Sequence, residues 1–349
     1  MIRIDEIYNN VFLPLVQDQT DKGLHWFDPF GSTNFDNICS FPRTTDGNRL
    51  VFWDQEPLYR DSLALFFDKF ILNYTKFYRE KTNTYVTKSD VTIITSEHNS
   101  EDVQWVCDTY NLKSAYYYFF HGWASLDWYR GYNRSFLHQP KNIKYTFLCP
   151  NNIVGGKRQH RLDLFNELCK RNIVKNNLVS MPAVCPYEGT RVKDYIDCDI
   201  KLPLTIDDFD NHANNSHQIT MWKQAAESLV HVVTETSYYG KKNHLTEKTF
   251  KPIVLRQPFI LVSNQGSLAY LRKYGFKTFE GIWDESYDQL PDDKRISAIG
   301  NLLQELEYAD KDYLNELCDP IVQHNYDWFY SGKFEQVLWD ELLGMTQSW

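Results

Sequence analysis

Two short polar clusters in the second half of the chain carry the residue types that bind and neutralise an anion. Thr234-Glu235-Thr236-Ser237 follows an apolar run, and Thr246-Glu247-Lys248-Thr249-Phe250 opens a stretch with helical spacing. Backbone N–H groups at a helix start favour negative charge. Lys248 adds a point charge suited to a diphosphate, and Glu235 and Glu247 can accept hydrogen bonds from ribose or sugar hydroxyls. The same letters also fit a plain helix start, with Glu247 and Lys248 on a solvated face. A further basic cluster, Lys157-Arg158-Gln159-His160-Arg161, opens another helix just after Gly155-Gly156. The macrodipole disfavours cations at that end of a helix, which favours a clamp for phosphate over a merely solvated turn. Arg161 is the preferred clamp because a guanidinium matches phosphate oxygens bidentately, and Lys157 stands beside it.

Strands must deliver these groups. In the first half, Leu50–Trp53, Val91–Thr95 and Ala115–Phe120 read as strands, each ending in polar residues, with a helical pattern over Ser62–Tyr78. The pattern lapses at 137–142 and restarts with strands at Tyr145–Cys149, Leu229–Val233, Pro258–Ser263 and Phe276–Phe279. Helices are expected over His160–Arg171, from Thr246 as cap through Leu255, over Gly266–Tyr274, and from Ile296 to about Asn325. A polar loop spans Glu235–Asn243. This alternation predicts an α/β fold with two Rossmann-like domains facing a cleft, residues 1–142 and 143–325. Parallel sheets bind ligands beyond their carboxyl ends, which points to the loops after Trp53, Thr95, Phe120, Cys149 and Val233.

The clusters resemble the donor-binding motif of the α-1,3-fucosyltransferases, which runs Glu-Asn-Ser, a short spacer, then Tyr-(Val/Ile)-Thr-Glu-Lys. Here the residues are Glu235-Thr236-Ser237, then His244-Leu245-Thr246-Glu247-Lys248, followed by Gln257-Pro258-Phe259-Ile260-Leu261-Val262 where the family has a Val-Pro-(Ile/Val)-Val strand. Thr236 replaces asparagine, His244 replaces tyrosine, and the spacer is longer. Glycosyltransferase-like proteins of viral and bacterial genomes continue with Gly-Ser, a helix and Gly-Phe-x-x-Phe, matched by Gly266-Ser267 and Gly275-Phe276-Lys277-Thr278-Phe279. The resemblance covers residues 229–263.

It implies a GT-B glycosyltransferase whose C-terminal domain holds a GDP- or UDP-linked sugar, hexosyl, pentosyl or fucosyl, as substrate, with no obligatory cofactor and no metal. Glu235, Ser237, Thr246, Glu247, Lys248, Arg161 and Lys157 would surround that donor. Residues 326–349 would return to the N-terminal domain as a helix. The acceptor side and a general base fall to the first half, where Glu56, Glu97 and His121 stand at strand ends, Glu56 being the first choice. Glu56 and Glu97 equally suit capping of the following helices, and His121 a loop hydrogen bond. Trp123, Asp127, Trp128 and Tyr129 could shape an acceptor platform. The acceptor would be a glycan hydroxyl or a hydroxymethylated DNA base. A non-catalytic sugar- or nucleotide-binding module is the reading from another class.

Composition bounds these readings. A chain of 349 residues exceeds one ordinary core. The net charge of −9 argues against a broad nucleic-acid-coating surface, though not against a local basic groove. Seven cysteines without a C-x-x-C pair suggest free thiols in a reducing compartment. The charged start Met1-Ile2-Arg3-Ile4-Asp5-Glu6 lacks a signal-peptide pattern, and no apolar run approaches the ~20 residues of a membrane span. A cytoplasmic protein is expected. Asp197-Cys198-Asp199 matches a metal-binding Asp-x-Asp but lies outside a GT-A-like context. Neither a phosphate-loop motif nor a Gly-x-Gly-x-x-Gly fingerprint occurs.

Overall fold

Runs of β-branched and aromatic residues become the strands, and each pairing between them is parallel. The computed structural model describes residues 24–27, 49–54, 57–61, 64–65, 68, 91–116, 122, 125–126, 128–129, 140–186, 188–206 and 219–347. In chain order these hold β1 (Leu24–Phe27), β2 (Arg49–Asp54), β3 (Val91–Thr95), α1 (Glu101–Tyr110), β4 (Lys113–Tyr116), β5 (Tyr145–Cys149), α2 (Gln159–Lys170) and β6 (Leu178–Val179). Then follow α3 (Trp222–Glu227), β7 (Ser228–Thr234), α4 (Glu247–Val254), β8 (Phe259–Val262), α5 (Ser267–Lys273), α6 (Asp292–Tyr308), α7 (Lys311–Tyr330) and α8 (Lys333–Gln347). The chain divides into two compact units, one of Met1–Trp123 with Leu338–Trp349 and the other of Ala124–Val337.

The first unit holds a sheet of order β1-β2-β3-β4. Its strands follow one another without a reversal, and α1 begins at Ser100, whose hydroxyl accepts from Val103 N–H.

The second unit holds a sheet of order β6-β5-β7-β8. From β5 the chain runs outward to β6, then returns past β5 to lay down β7 and β8 on the other side. Connections that leave neighbouring strands in opposite directions diverge, which opens a crevice between β5 and β7 at their carboxyl ends. All seven residues of β7 are buried, the polar Ser228, His231 and Thr234 included, as in a strand covered on both faces. Phe250, Ile253 and Val254 bury one side of α4. The Phe250 ring lies 5.8 Å from Phe276 and 5.6 Å from both Phe329 and Phe334. Burying a phenylalanine contributes roughly 1.5–3 kcal/mol, and here it fixes the helix whose first turn carries Glu247 and Lys248.

Several expectations change. Phe276, Thr278 and Phe279 are buried and Lys277 is exposed, but the segment forms no strand. Its N–H groups bond side chains instead of a ladder, Lys277 N–H donating to Asn325 Oδ1 at 2.7 Å and Phe279 N–H to Glu285 Oε1 at 2.7 Å. The helical stretch from Ile296 breaks at Ala309–Asp310, because Asp310 starts α7 by accepting from the N–H groups of Asp312 and Tyr313. Strand β4 begins earlier than expected, at Lys113, and residues 117–120 lie outside the described residues, as does most of 62–78.

Candidate active site

Side chains lace the strand ends around the crevice. Thr234 Oγ1 donates to Asn151 Oδ1 at 2.9 Å, joining the end of β7 to the loop after β5. Asn151 N–H donates to Ser180 Oγ at 2.9 Å, and that hydroxyl returns a bond to the Asn151 carbonyl at 3.2 Å, drawing in the end of β6. Over this lacing lies the first turn of α2. His160 Nε2 bonds the Glu235 carbonyl at 3.0 Å. Because a carbonyl only accepts, the proton sits on Nε2. Burial pushes the His160 pKa well below the usual imidazole value, so the ring is neutral. Arg161 donates to the carbonyls of Ile153 at 2.7 Å, Thr234 at 2.9 Å and Glu235 at 3.1 Å. Burial, then the nearby Arg158 charge, lowers its pKa to about 10, with Glu235 and Glu247 opposing.

The start of α4 already contains its anion. The Glu235 carboxylate is fully buried. Its Oε1 accepts from Thr246 N–H at 3.0 Å and Thr249 Oγ1 at 2.6 Å, and its Oε2 from Thr236 N–H at 3.1 Å and Thr246 Oγ1 at 2.6 Å. Four donors converge on one carboxylate at the positive end of a helix. Above it, Lys248 Nζ contacts Glu247 Oε1 at 2.8 Å, Thr236 Oγ1 at 3.2 Å and Thr246 Oγ1 at 3.3 Å. The Lys248 side chain remains 35% exposed.

The loop after β7 holds an aromatic pair that the expectation of a polar loop missed. Tyr238 stacks on His160 with centroids 5.0 Å apart and planes 7° from parallel, while the buried Arg295 guanidinium covers the Tyr238 ring at 4.4 Å. The Tyr238 hydroxyl donates to the Asp292 carbonyl at 2.8 Å, and burial pushes its pKa up to about 12. The Tyr239 ring lies roughly perpendicular to His160, 78° at 6.0 Å, and to Tyr238, 81° at 5.0 Å. Its hydroxyl donates to Asp163 Oδ2 at 3.2 Å, and its carbonyl accepts from Asn264 Nδ2 at 3.0 Å. Two adjacent tyrosines followed by a glycine, directly beyond a strong strand, were the sequence signal for this feature.

The structure therefore brings Glu235, Thr246, Glu247, Lys248 and Arg161 together, but in two layers. Glu235 and Arg161 lie beneath, spent on the protein's own donors and carbonyls, whereas both were expected to touch a ligand. Lys248 lies above, next to solvent. Lys157 is exposed on the loop where Gly155 and Gly156 adopt left-handed φ values of 84° and 51°. Ser237 is buried, and its hydroxyl has no hydrogen-bond partner among the described residues. Glu97 is buried in the first unit, accepting from Leu58 N–H at 2.7 Å and from the Ser100 hydroxyl at 2.5 Å. That arrangement supports the start of α1. Glu56, His121, Trp123 and Asp127 lie outside the described residues. Asp197 and Asp199 are both exposed. No group of three or more His, Cys, Asp or Glu side chains is placed to hold a metal among the described residues. None of the described helices is long and apolar enough to cross a membrane.

No protein-family model matches this chain, and no curated protein matches it. Among solved structures, a crystal structure of the DNA-modifying enzyme β-glucosyltransferase, in the presence and absence of its substrate uridine diphosphoglucose, aligns over 98% of this chain and 96% of its own. The identity is 10% and the TM-score 0.37. A likeness at that level carries no residue roles across from one protein to the other.

Proposed function

We propose that the unit Ala124–Val337 binds a nucleoside diphosphate sugar beyond the carboxyl end of its sheet, and that the protein transfers the sugar to an acceptor hydroxyl. The supporting observation is Lys248, an ammonium held by two threonine hydroxyls and a carboxylate at a helix start, with a third of its side chain open to solvent. As the sugar C1–O bond breaks, negative charge grows on the departing diphosphate, and a fixed ammonium there lowers the barrier. Glu247 bonds Lys248 and sets its position, and in this reading it is the carboxylate that would accept from a sugar hydroxyl. Glu235 and Arg161 act as positioning residues, one holding the helix start and the other the loop carbonyls. Lys157, on the glycine loop, is the second cation for the diphosphate. The acceptor proton would pass to Glu56 or His121, since the Glu97 carboxylate already serves Leu58 and Ser100.

Thermal unfolding with uridine and guanosine diphosphates and their sugars tests the donor site. Ligand at about 100 times its dissociation constant adds roughly 2.7 kcal/mol of stability, and Lys248→Ala should reduce that gain at the same ligand concentration. If no nucleotide raises the unfolding temperature of the native chain, the donor site is refuted. Release of free nucleoside diphosphate on adding an acceptor separates an enzyme from a binding module. Parallel reactions with glycans and with hydroxymethylated duplex DNA identify the acceptor. DNA as acceptor further requires an affinity that falls steeply with salt.

A further inference from the structure

We propose that Tyr239 is the platform on which the planar base of the nucleotide stacks. This rests on the donor-site reading above and names one of its contacts. Tyr239 is 38% exposed, on the loop that leaves the carboxyl end of β7. Exposed tyrosines are commonplace, but this one is immobilised at several points. The hydroxyl is tied to Asp163 on α2, the ring packs perpendicular to His160 and Tyr238, and the backbone carbonyl is tied to Asn264 beyond β8. Elements on both sides of the crevice thus hold one ring whose remaining surface faces water. His160, which it touches, bonds the Glu235 carbonyl. The Glu235 carboxylate in turn sets Thr246, against which Lys248 rests. A short chain of contacts therefore links the ring to the ammonium proposed for the diphosphate.

A ring already fixed loses almost no freedom when a second ring covers it, so nearly all of the stacking attraction is realised as affinity. Gly240 follows with a φ of 80°, and a side chain there would meet nothing within 4 Å, which leaves room beside the ring. Stacking reads the π face common to all bases, so the platform would strengthen binding of any nucleoside diphosphate. The choice between bases falls to other groups.

The test is calorimetric titration of the native chain, Tyr239→Phe and Tyr239→Leu with uridine diphosphate, guanosine diphosphate and inorganic pyrophosphate. The native chain should bind a nucleoside diphosphate more tightly than pyrophosphate. Tyr239→Leu should lose at least about fivefold in affinity for the nucleoside diphosphate, the low end of a base–aromatic stack, and leave pyrophosphate unchanged. Tyr239→Phe keeps the face and should stay close to native. Equal binding of the nucleoside diphosphate by native and Tyr239→Leu chains would overturn the platform and leave the donor site standing. A native chain that prefers pyrophosphate, or a Tyr239→Leu chain that weakens both ligands alike, would also overturn it. Binding of none of the ligands by the native chain would remove the donor site and the platform together.

Discussion

Replacing Glu235 by glutamine separates a structural anion from a ligand-binding one. Each carboxylate oxygen accepts one backbone N–H, Thr246 N–H on Oε1 and Thr236 N–H on Oε2, and one threonine hydroxyl. A hydroxyl can turn to accept from an amide, but a backbone N–H cannot. Whichever way the glutamine amide points, its NH2 faces one of those N–H groups and leaves it unpaired. An unsatisfied buried donor costs about 1–3 kcal/mol, and the loss of charge from the remaining bonds adds about 1 kcal/mol. The expected destabilisation is thus about 2–4 kcal/mol, or a fall in unfolding temperature of roughly 4–16 °C for a unit of this size. Urea unfolding followed by tryptophan fluorescence reads the first figure and calorimetry the second. Thr249→Val, which removes one of the four bonds, should cost about 1 kcal/mol. A Glu235→Gln chain within about 0.5 kcal/mol of native would refute the role of Glu235 as the built-in anion of α4 and return it to the candidates for ligand contact.

Other substitutions test neighbouring parts. Arg161→Met should destabilise by about 2–4 kcal/mol, because the Ile153 and Thr234 carbonyls lose this donor and the Glu235 carbonyl keeps only His160; equilibrium unfolding measures it. Gly275→Ala should cost about 2–4 kcal/mol, since φ is 90° and a Cβ would lie 2.4 Å from the Trp328 ring, whereas Gly156→Ala displaces only the tip of Glu188 and should cost about 1 kcal/mol. Comparative thermal unfolding orders the pair. Acid should weaken the fold. His231 has its pKa lowered by burial to about 3 and His160 is lowered well below its usual value. Below about pH 6.5 the unfolded chain binds protons that the folded chain refuses, so stability declines as pH falls from there towards 3. At pH 5 His231 alone accounts for about 2 kcal/mol, and His231→Leu should flatten the slope of stability against pH by nearly one proton.

Several elements of both units were legible because their strands are apolar and their helix starts are marked. Val91–Thr95 and Tyr145–Cys149 match their strands residue for residue, and Thr246 does cap α4. Strand β6 has only two residues, too few for a periodic pattern, so the order β6-β5-β7-β8 that creates the crevice could not be read from the sequence. Phe276–Phe279 has strand composition, but its N–H partners are Asn325 and Glu285, one of them 48 residues away. No local rule reaches that far. Two of the candidate residues, Glu235 and Arg161, lie deeper than their types suggest. Sequence marks Glu235 and Arg161 as charged, and charge suggests exposure. Burial became possible only because loop carbonyls and threonine donors converge on them, which is a property of the folded loops.

The lacing of Asn151, Ser180 and Thr234 bears on how such a protein can diversify. Three strand ends are tied at their stems by an amide and two hydroxyls, so the loops beyond them inherit anchored ends whatever their own length. Insertions at Gly189 or Gly240, where an added side chain would meet nothing, would lengthen a loop while its stem stays closed. Variation in these loops is thereby uncoupled from the stability of the sheet beneath them.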